Sequence, residues 1–114
     1  MKTLDLKIRL RCGDDIAIGP GKADLLAAIQ EAGSISGAAR LLGMSYRRAW
    51  LLVETMNRCF REPLVSTSAG GRHGGGTQLT ATGEQVLKSY RDLCVRALAE
   101  IESHMGEITA LLVT

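Results

Sequence analysis

Residues 34–57, SISGAARLLGMSYRRAWLLVETMN, decide the fold of this chain. They predict a short helix, a tight turn at Gly43 and a second helix that begins after Ser45. Glycine suits this turn, because a turn between two crossing helices needs a positive φ angle that a side chain disfavours. Either Ser34 or Ser36 is expected to cap the first helix. The pattern is typical of a helix-turn-helix unit.

The second helix of this unit has two chemically different faces. Its apolar stripe, which we expect to pack on the core, consists of Ala49, Leu52, Val53, Met56 and Phe60. The opposite face begins with two arginines, whose planar guanidinium groups bind guanine or phosphate through paired hydrogen bonds. We therefore predict that the first turn contacts base edges and phosphates in a DNA major groove. The predicted contact residues are Ser45, Tyr46, Arg47 and Arg48.

The distribution of charge supports this prediction more than the total charge does. The whole chain of 114 residues has a formal charge of only +2. Residues 40–72, however, contain six arginines and two glutamates, whereas residues 97–114 contain three glutamates and no lysine or arginine. The alternative, an amphipathic helix pair with a merely solvated cationic face, stays open at this level.

The residues before the helix-turn-helix predict a β-hairpin and a first helix. Apolar and charged side chains alternate from Leu4 to Cys12, which indicates a half-buried strand, and a second short strand follows the Gly13-Asp14-Asp15 turn. Helical spacing then predicts a helix over 22–32, closed by Gly33.

The residues after the helix-turn-helix predict a wing, that is, two short strands around a glycine-rich loop. LVSTSA (64–69) and TQLTA (77–81) are β-prone, and five glycines lie in residues 70–76. Arg72 and His73 at the tip are expected to reach a phosphate or the minor groove. A nucleotide-binding phosphate loop does not fit, because Gly76 stands where such a loop needs its lysine. A floppy hairpin tip remains an alternative.

The last part of the chain predicts one long dimerisation helix. Thr82 is the expected N-cap, Gln85 completes a capping box, and Glu84 complements the helix dipole. Apolar residues then recur at heptad spacing, which indicates a rod of about 45 Å with Gly106 as a weak point. The near half should pack on its own domain and the far half on a partner. The predicted seam comprises Leu87, Tyr90, Cys94, Ala97, Ile101, Ile108 and Leu111.

Several other classes of site and protein are not expected. Cys12, Cys59 and Cys94 are far apart in sequence and predict buried free thiols in a reducing cytoplasm. No zinc-like spacing, cofactor fingerprint or catalytic constellation is present, so neither a metal, a cofactor nor an enzyme is predicted. Neither a signal peptide nor a membrane span is expected, and the predicted location is the cytoplasm.

The central and wing segments together resemble a known family. GSISGAARLLGMSYRRAWLLVETMN (33–57) and PLVSTSAGGRHGGGTQLTATGEQVL (63–87) look like the N-terminal winged helix-turn-helix domain of ModE-type molybdate-responsive regulators, which is similar to that of LysR-type regulators. The resemblance covers residues 21–93. It implies a dimer on a palindromic site, the same four groove residues, Ser34 and Ser36 on the DNA backbone, and Arg72 and His73 in the wing.

The predicted architecture is one domain, mostly α with a small β component. It consists of an N-terminal hairpin (1–20), a winged helix-turn-helix (22–80) and a C-terminal dimerisation helix (81–113). The molybdate-binding module of ModE regulators does not follow within these residues, so direct molybdate binding is not expected. The leading hypothesis is a sequence-specific, dimeric DNA-binding regulator. The alternative is an adaptor that pairs with a full-length regulator through its long helix.

Overall fold

The computed structural model describes residues 3–68 and 76–113. Five helices and four short strands lie within these residues: β1 (Leu10–Cys12), β2 (Asp15–Ile18), α1 (Pro20–Ala32), α2 (Ile35–Leu42), α3 (Tyr46–Cys59), β3 (Val65–Ser68), β4 (Gly76–Leu79), α4 (Ala81–Glu102) and α5 (Gly106–Thr109). The strands form two separate antiparallel hairpins, β1–β2 and β3–β4. The predicted fold class, a mostly helical winged helix-turn-helix with an N-terminal hairpin, is confirmed.

The core lies where α1 packs against α2 and α3. The α1 side chains of Leu25, Leu26 and Ile29 are wholly buried, as the helical stripe predicted, and Met56 of α3 meets them from the other side. Each such side chain contributes roughly 1.5–3 kcal/mol by leaving water. The hairpin β3–β4 and the first half of α4 close this core, and the backbone N–H of Thr77 ties the hairpin to α1 through the Gly33 carbonyl at 2.9 Å.

The helix-turn-helix forms as its local signals predict. Ser34 Oγ accepts a hydrogen bond from the Gly37 N–H at 3.0 Å and caps α2, whereas Ser36 lies inside the helix. Gly43 closes α2 with a φ of 67°, a conformation that favours glycine. Ser45 Oγ accepts from the Arg48 N–H at 3.1 Å and caps α3. The direction of α3 is therefore set within a few residues of the turn.

The start of α4 differs from the prediction. Thr80, not Thr82, is the N-cap, since its Oγ1 accepts from the Gly83 N–H at 3.0 Å and donates to the Pro63 carbonyl at 2.7 Å. Thr82 instead donates to the Glu62 carboxylate. A side chain at Gly83 would collide with the Leu64 carbonyl, so the first turn of α4 lies directly against the segment before β3. Contacts distant in sequence thus decide where this helix begins.

The predicted rod is also too long, because α4 ends at Glu102. The chain turns at Ser103 and His104 before the short helix α5 begins at Gly106. At 22 residues, α4 is about 33 Å long rather than about 45 Å. Beyond Tyr90 this helix has no buried residue, so little tertiary packing stabilises a continuation past Glu102.

The N-terminal strand is shorter than predicted as well. Only Leu10–Cys12 pairs with β2, and residues 3–9 belong to no helix or strand. The predicted alternation nevertheless survives, because Leu4, Leu6 and Ile8 are half-buried and the side chains between them are exposed. This segment runs past α4, where the Tyr90 hydroxyl donates a hydrogen bond of 2.6 Å to the Ile8 carbonyl.

The prediction of three buried thiols is wrong. Cys12 is exposed, and Cys59 and Cys94 are only partly buried. All three residues of β1, Cys12 among them, are exposed. The apolar alternation of β1 therefore does not translate into burial at its last residue.

The wing is held to α3 by one side chain that the local sequence pattern does not single out. The amide oxygen of Asn57 accepts hydrogen bonds from the backbone N–H groups of Leu64 and Val65 at 2.8 and 3.1 Å. Its Nδ2 donates to the Val65 carbonyl at 3.0 Å. Three hydrogen bonds thus fix the entry to β3 relative to the end of α3.

We expect Asn57→Ala to lower the free energy of unfolding by about 1–3 kcal/mol, because two backbone donors lose their acceptor in a partly buried place. Urea titration followed by circular dichroism measures this loss. Thr55→Ala is the matched control, since Thr55 only donates to the Leu51 carbonyl within the same helix. Equal stability of the two variants would contradict the bridging role of Asn57.

Tyr90 makes the stability of the fold sensitive to alkaline pH. Burial, reinforced by the neighbouring Cys94 thiol, raises the pKa of Tyr90 to about 12. The unfolded pKa is about 10. Stabilisation by the neutral phenol is therefore complete below about pH 10 and is lost as the pH rises towards 12.

We expect Tyr90→Phe to abolish this alkaline component, at the cost of the hydrogen bond to Ile8. The measurement is the free energy of unfolding in urea from neutral pH to about pH 12, the upper limit set by the raised pKa. Tyr46→Phe is the control, because Tyr46 is 55% exposed. A Tyr90→Phe variant that loses stability above pH 10 as steeply as the parent protein would contradict this assignment.

Candidate nucleic-acid interface

The first turn of α3 projects a set of polar side chains into solvent. The cap at Ser45 fixes the backbone of this turn, and the side chains of Tyr46, Arg47 and Arg48 are exposed. The free N–H groups and the dipole of a helix N-terminus favour negatively charged groups such as phosphates. The four residues predicted for a DNA groove thus lie together on one exposed surface, which we call the α3 face.

The α3 face continues into the second turn of the helix, whose residues are not among the contact residues predicted from the sequence. Trp50 is 45% exposed and Leu51 is 43% exposed, although both are large and apolar. The sequence pattern does not select Trp50, because this residue belongs neither to the apolar stripe nor to the arginine set. Its spacing was the available signal, since residues three and four positions after Arg47 share its side of a helix.

The arginines of the basic region are not equivalent. Arg58, near the end of α3, forms an ion pair with Asp15 of β2 at 3.1 Å, and this carboxylate raises the pKa of the guanidinium. Within the described residues, Arg40, Arg47 and Arg48 take part in no ion pair. Lys22 lies close enough to Arg48 for their like charges to contribute to the lowered pKa of Lys22, whose main cause is burial. Arg47 and Arg48 therefore leave positive charge at the start of α3 that is unpaired within the described part of the chain.

The remaining predicted contact residues fall in different settings. Ser34 is partly buried and its hydroxyl already caps α2, whereas Ser36 is exposed on the first turn of α2. Arg72 and His73 lie outside the described residues. The hairpin β3–β4 that leads towards them is present, with Val65 paired to Leu79 and Ser68 to Gly76.

The predicted dimerisation residues divide into three groups along the chain. Leu87 and Tyr90 are 4% and 5% exposed, so they belong to the core of the single chain rather than to a seam. Cys94 and Ala97 are half-buried. Ile101, Ile108 and Leu111 are exposed, and the last two lie beyond the end of α4. The exposed positions of the predicted seam therefore begin only past Tyr90.

Two other kinds of site are absent from the described residues. Residues 3–68 and 76–113 contain no cluster of three or more histidine, cysteine, aspartate or glutamate side chains that could hold a metal ion. Among the helices in these ranges, none is long and apolar enough to cross a membrane.

Comparisons with known proteins agree with this geometry. Residues 22–84 match the model of the bacterial regulatory helix-turn-helix protein, lysR family. The molybdenum transport protein ModE of Azotobacter vinelandii is 42% identical over 96 residues, which cover 82% of this chain and 36% of the relative. The transcriptional regulator ModE of Haemophilus influenzae is 37% identical over 90 residues, covering 79% of this chain and 35% of the relative. The chain thus spans about a third of the length of these relatives.

The fold is also found in a solved structure, the DNA-binding domain of CbnR in complex with DNA. The two chains superpose with a TM-score of 0.57 over 79% of this chain and 95% of that chain, at 23% identity, which shows a shared fold. The resemblance to ModE-type regulators is confirmed by the sequence matches. The family model matches more than half of the residues of this chain, and the chain therefore belongs to the lysR family of bacterial regulatory helix-turn-helix proteins.

Proposed function

We propose that this chain is a ModE-type transcriptional regulator that binds a palindromic DNA site as a homodimer. The observation that carries the proposal is the α3 face, where exposed Arg47 and Arg48 stand at a capped helix N-terminus. Membership of a regulatory helix-turn-helix family supports it and agrees with the expectation that the chain is not an enzyme.

In this proposal α3 lies along the major groove, and its N-terminal turn contacts base edges and phosphates. A groove about 12 Å wide admits an α-helix. Arg47 or Arg48 hydrogen-bonds a guanine edge, while the other arginine and the free backbone N–H groups of the turn hold phosphates. The opposite face of α3 stays in the core through Ala49, Val53 and Met56, which are at most 6% exposed. The base-reading residues are therefore carried on a rigid support.

The wing and α2 supply contacts to the DNA backbone in this proposal. Asn57 holds the entry to β3 against α3, so a wing contact and a groove contact would keep a constant spacing. Arg72 and His73 are proposed to meet a phosphate or the minor groove, as their positions in the sequence predict. Ser36, exposed at the start of α2, is proposed to contact the backbone together with Ser34.

The second copy of the chain is proposed to pair along the far part of α4 and the residues after it. Val95 and Ile101 of α4 are 68% and 37% exposed, and Ile108 and Leu111 after it are 67% and 86% exposed. Several exposed apolar side chains near one end of a chain are typical of a surface that binds a partner. Two copies related by a two-fold axis would place two α3 helices about 34–36 Å apart, one turn of DNA.

The biological setting is proposed from the relatives. Two of them bear the name ModE, one as a molybdenum transport protein and one as a transcriptional regulator. We place this chain in molybdenum-related gene control in the cytoplasm. We propose no molybdate site within the described residues, and the proposal is limited to the DNA-binding function.

For a duplex retained from a genomic fragment pool, we expect affinity to fall steeply with salt, because several phosphates are neutralised per copy. The double variant Arg47→Ala/Arg48→Ala should lose sequence discrimination of about 1–3 kcal/mol per lost guanine contact. Fluorescence anisotropy with the retained duplex and a scrambled duplex measures both effects.

The matched control is Arg91→Ala/Arg96→Ala, which removes the same charge from exposed positions of α4. It should leave the ratio of the two affinities unchanged. Binding that is independent of salt, or a preserved ratio in the Arg47→Ala/Arg48→Ala variant, would contradict the proposed role of the α3 face.

We expect Ile101→Asp to weaken the dimer at least about tenfold, because a carboxylate would be buried in the apolar seam without a partner. Sedimentation equilibrium measures the dissociation constant. Ser89→Asp is the control, since it adds the same charge at an exposed position of α4 outside the predicted seam. A monomer at every concentration would contradict the homodimer, and pairing only with a full-length regulator would favour the adaptor hypothesis.

A further inference from the structure

The α3 face contains an apolar strip, formed by Trp50 and Leu51, that attraction to phosphates does not explain. The chain has only four aromatic residues, and two of them, Tyr46 and Trp50, are exposed on the first two turns of α3. Leu51 is exposed beside Trp50. The hydrocarbon surface of Trp50 and Leu51 gains nothing from a phosphate, whereas an apolar group on a partner would remove it from water.

The strip lies at a defined place relative to the arginines. Trp50 and Leu51 follow Arg47 by three and four residues, which puts them on the same side of α3 and about 5.4 Å further along its axis. Beyond them come exposed Glu54, which phosphates repel, and Arg58, which Asp15 already holds. The second turn is therefore bounded by a cation on one side and by a carboxylate on the other.

The ring of Trp50 is also partly confined. Trp50 lines a crevice between α3 and the wing together with Ile35, Val65 and Thr67. Confinement on one side limits the rotamers that the ring adopts, so that less conformational entropy is lost when its exposed side is covered. The side chain is thus arranged to meet a partner rather than to move freely in solvent.

The apolar group that the DNA major groove presents is the 5-methyl group of thymine. We propose that Trp50 and Leu51 read thymine methyl groups in the base pairs next to those contacted by Arg47. This inference rests on the proposed DNA-binding function and adds a specificity to it. With a rise of about 3.4 Å per base pair, a displacement of about 5.4 Å places these thymines one to two base pairs from the arginine contact.

The test replaces thymine by deoxyuridine, which lacks only the methyl group. Duplexes are selected from a random pool by the parent protein, and each thymine of the consensus half-site is then replaced singly. We expect one or two positions at which deoxyuridine weakens binding about fourfold, the effect of one buried methyl group. Competition anisotropy measures the ratio of the two affinities at each position.

The variants assign the effect to the two side chains. In the Trp50→Ala variant and in the Leu51→Ala variant, deoxyuridine should no longer weaken binding at the position that the replaced residue reads. The ratio of the two affinities should there approach one. Leu10→Ala, which removes an exposed leucine from β1, should keep every penalty. Thermal unfolding and circular dichroism establish that each variant is folded. The comparison of thymine and deoxyuridine duplexes uses the parent protein alone, so it holds even if a variant does not fold.

The outcomes separate this inference from the proposed function. Selection of no duplex would contradict DNA binding itself and this inference with it. A selected duplex that binds equally well with deoxyuridine at every position would overturn the inference alone. A penalty that persists in both folded variants would overturn the assignment to Trp50 and Leu51, as would sites that lack thymine next to the arginine contact.

Discussion

The close crossing of α2 and α3 is the constraint on which the rest of the structure depends. Ala38 and Ala49 are wholly buried, and Ala39 is 3% exposed, so small side chains line the place where these helices meet. Protein interiors are packed as densely as organic crystals, so even one additional methylene group at this crossing would destabilise the fold. This contact lets α3 bury one face and present the other, and therefore sets the direction of Arg47 and Arg48.

Around this crossing, a few polar contacts join segments that are distant in sequence. Asn57 ties α3 to the wing, Thr80 ties the start of α4 to Pro63, and Tyr90 ties α4 to the N-terminal segment. Each satisfies a backbone group that would otherwise lose a partner. The hairpin, the wing and α4 are in this way fixed to the helix-turn-helix.

The division of charge follows the same architecture. Asp15 of the N-terminal hairpin holds Arg58, at the end of α3, at 3.1 Å. The arginines at the beginning of α3 have no such partner within the described residues. An exposed ion pair contributes little to stability, so its main effect is on where positive charge remains available. The first turn of α3 keeps its positive charge in this way, unpaired by any carboxylate of the described chain.

Local signals in the sequence determined the helix-turn-helix, the cap at Ser45, the turn at Gly43 and the arginines of α3, and they left Ser34 and Ser36 as alternatives for the first cap. These signals act between residues at most four positions apart, and so they can be read from sequence spacing. Tertiary structure alone decided the cap at Thr80 and the end of α4 at Glu102. The physical reason is that burial and long-range hydrogen bonds depend on which surfaces folding brings together, and heptad or alternating patterns do not specify the partner surface.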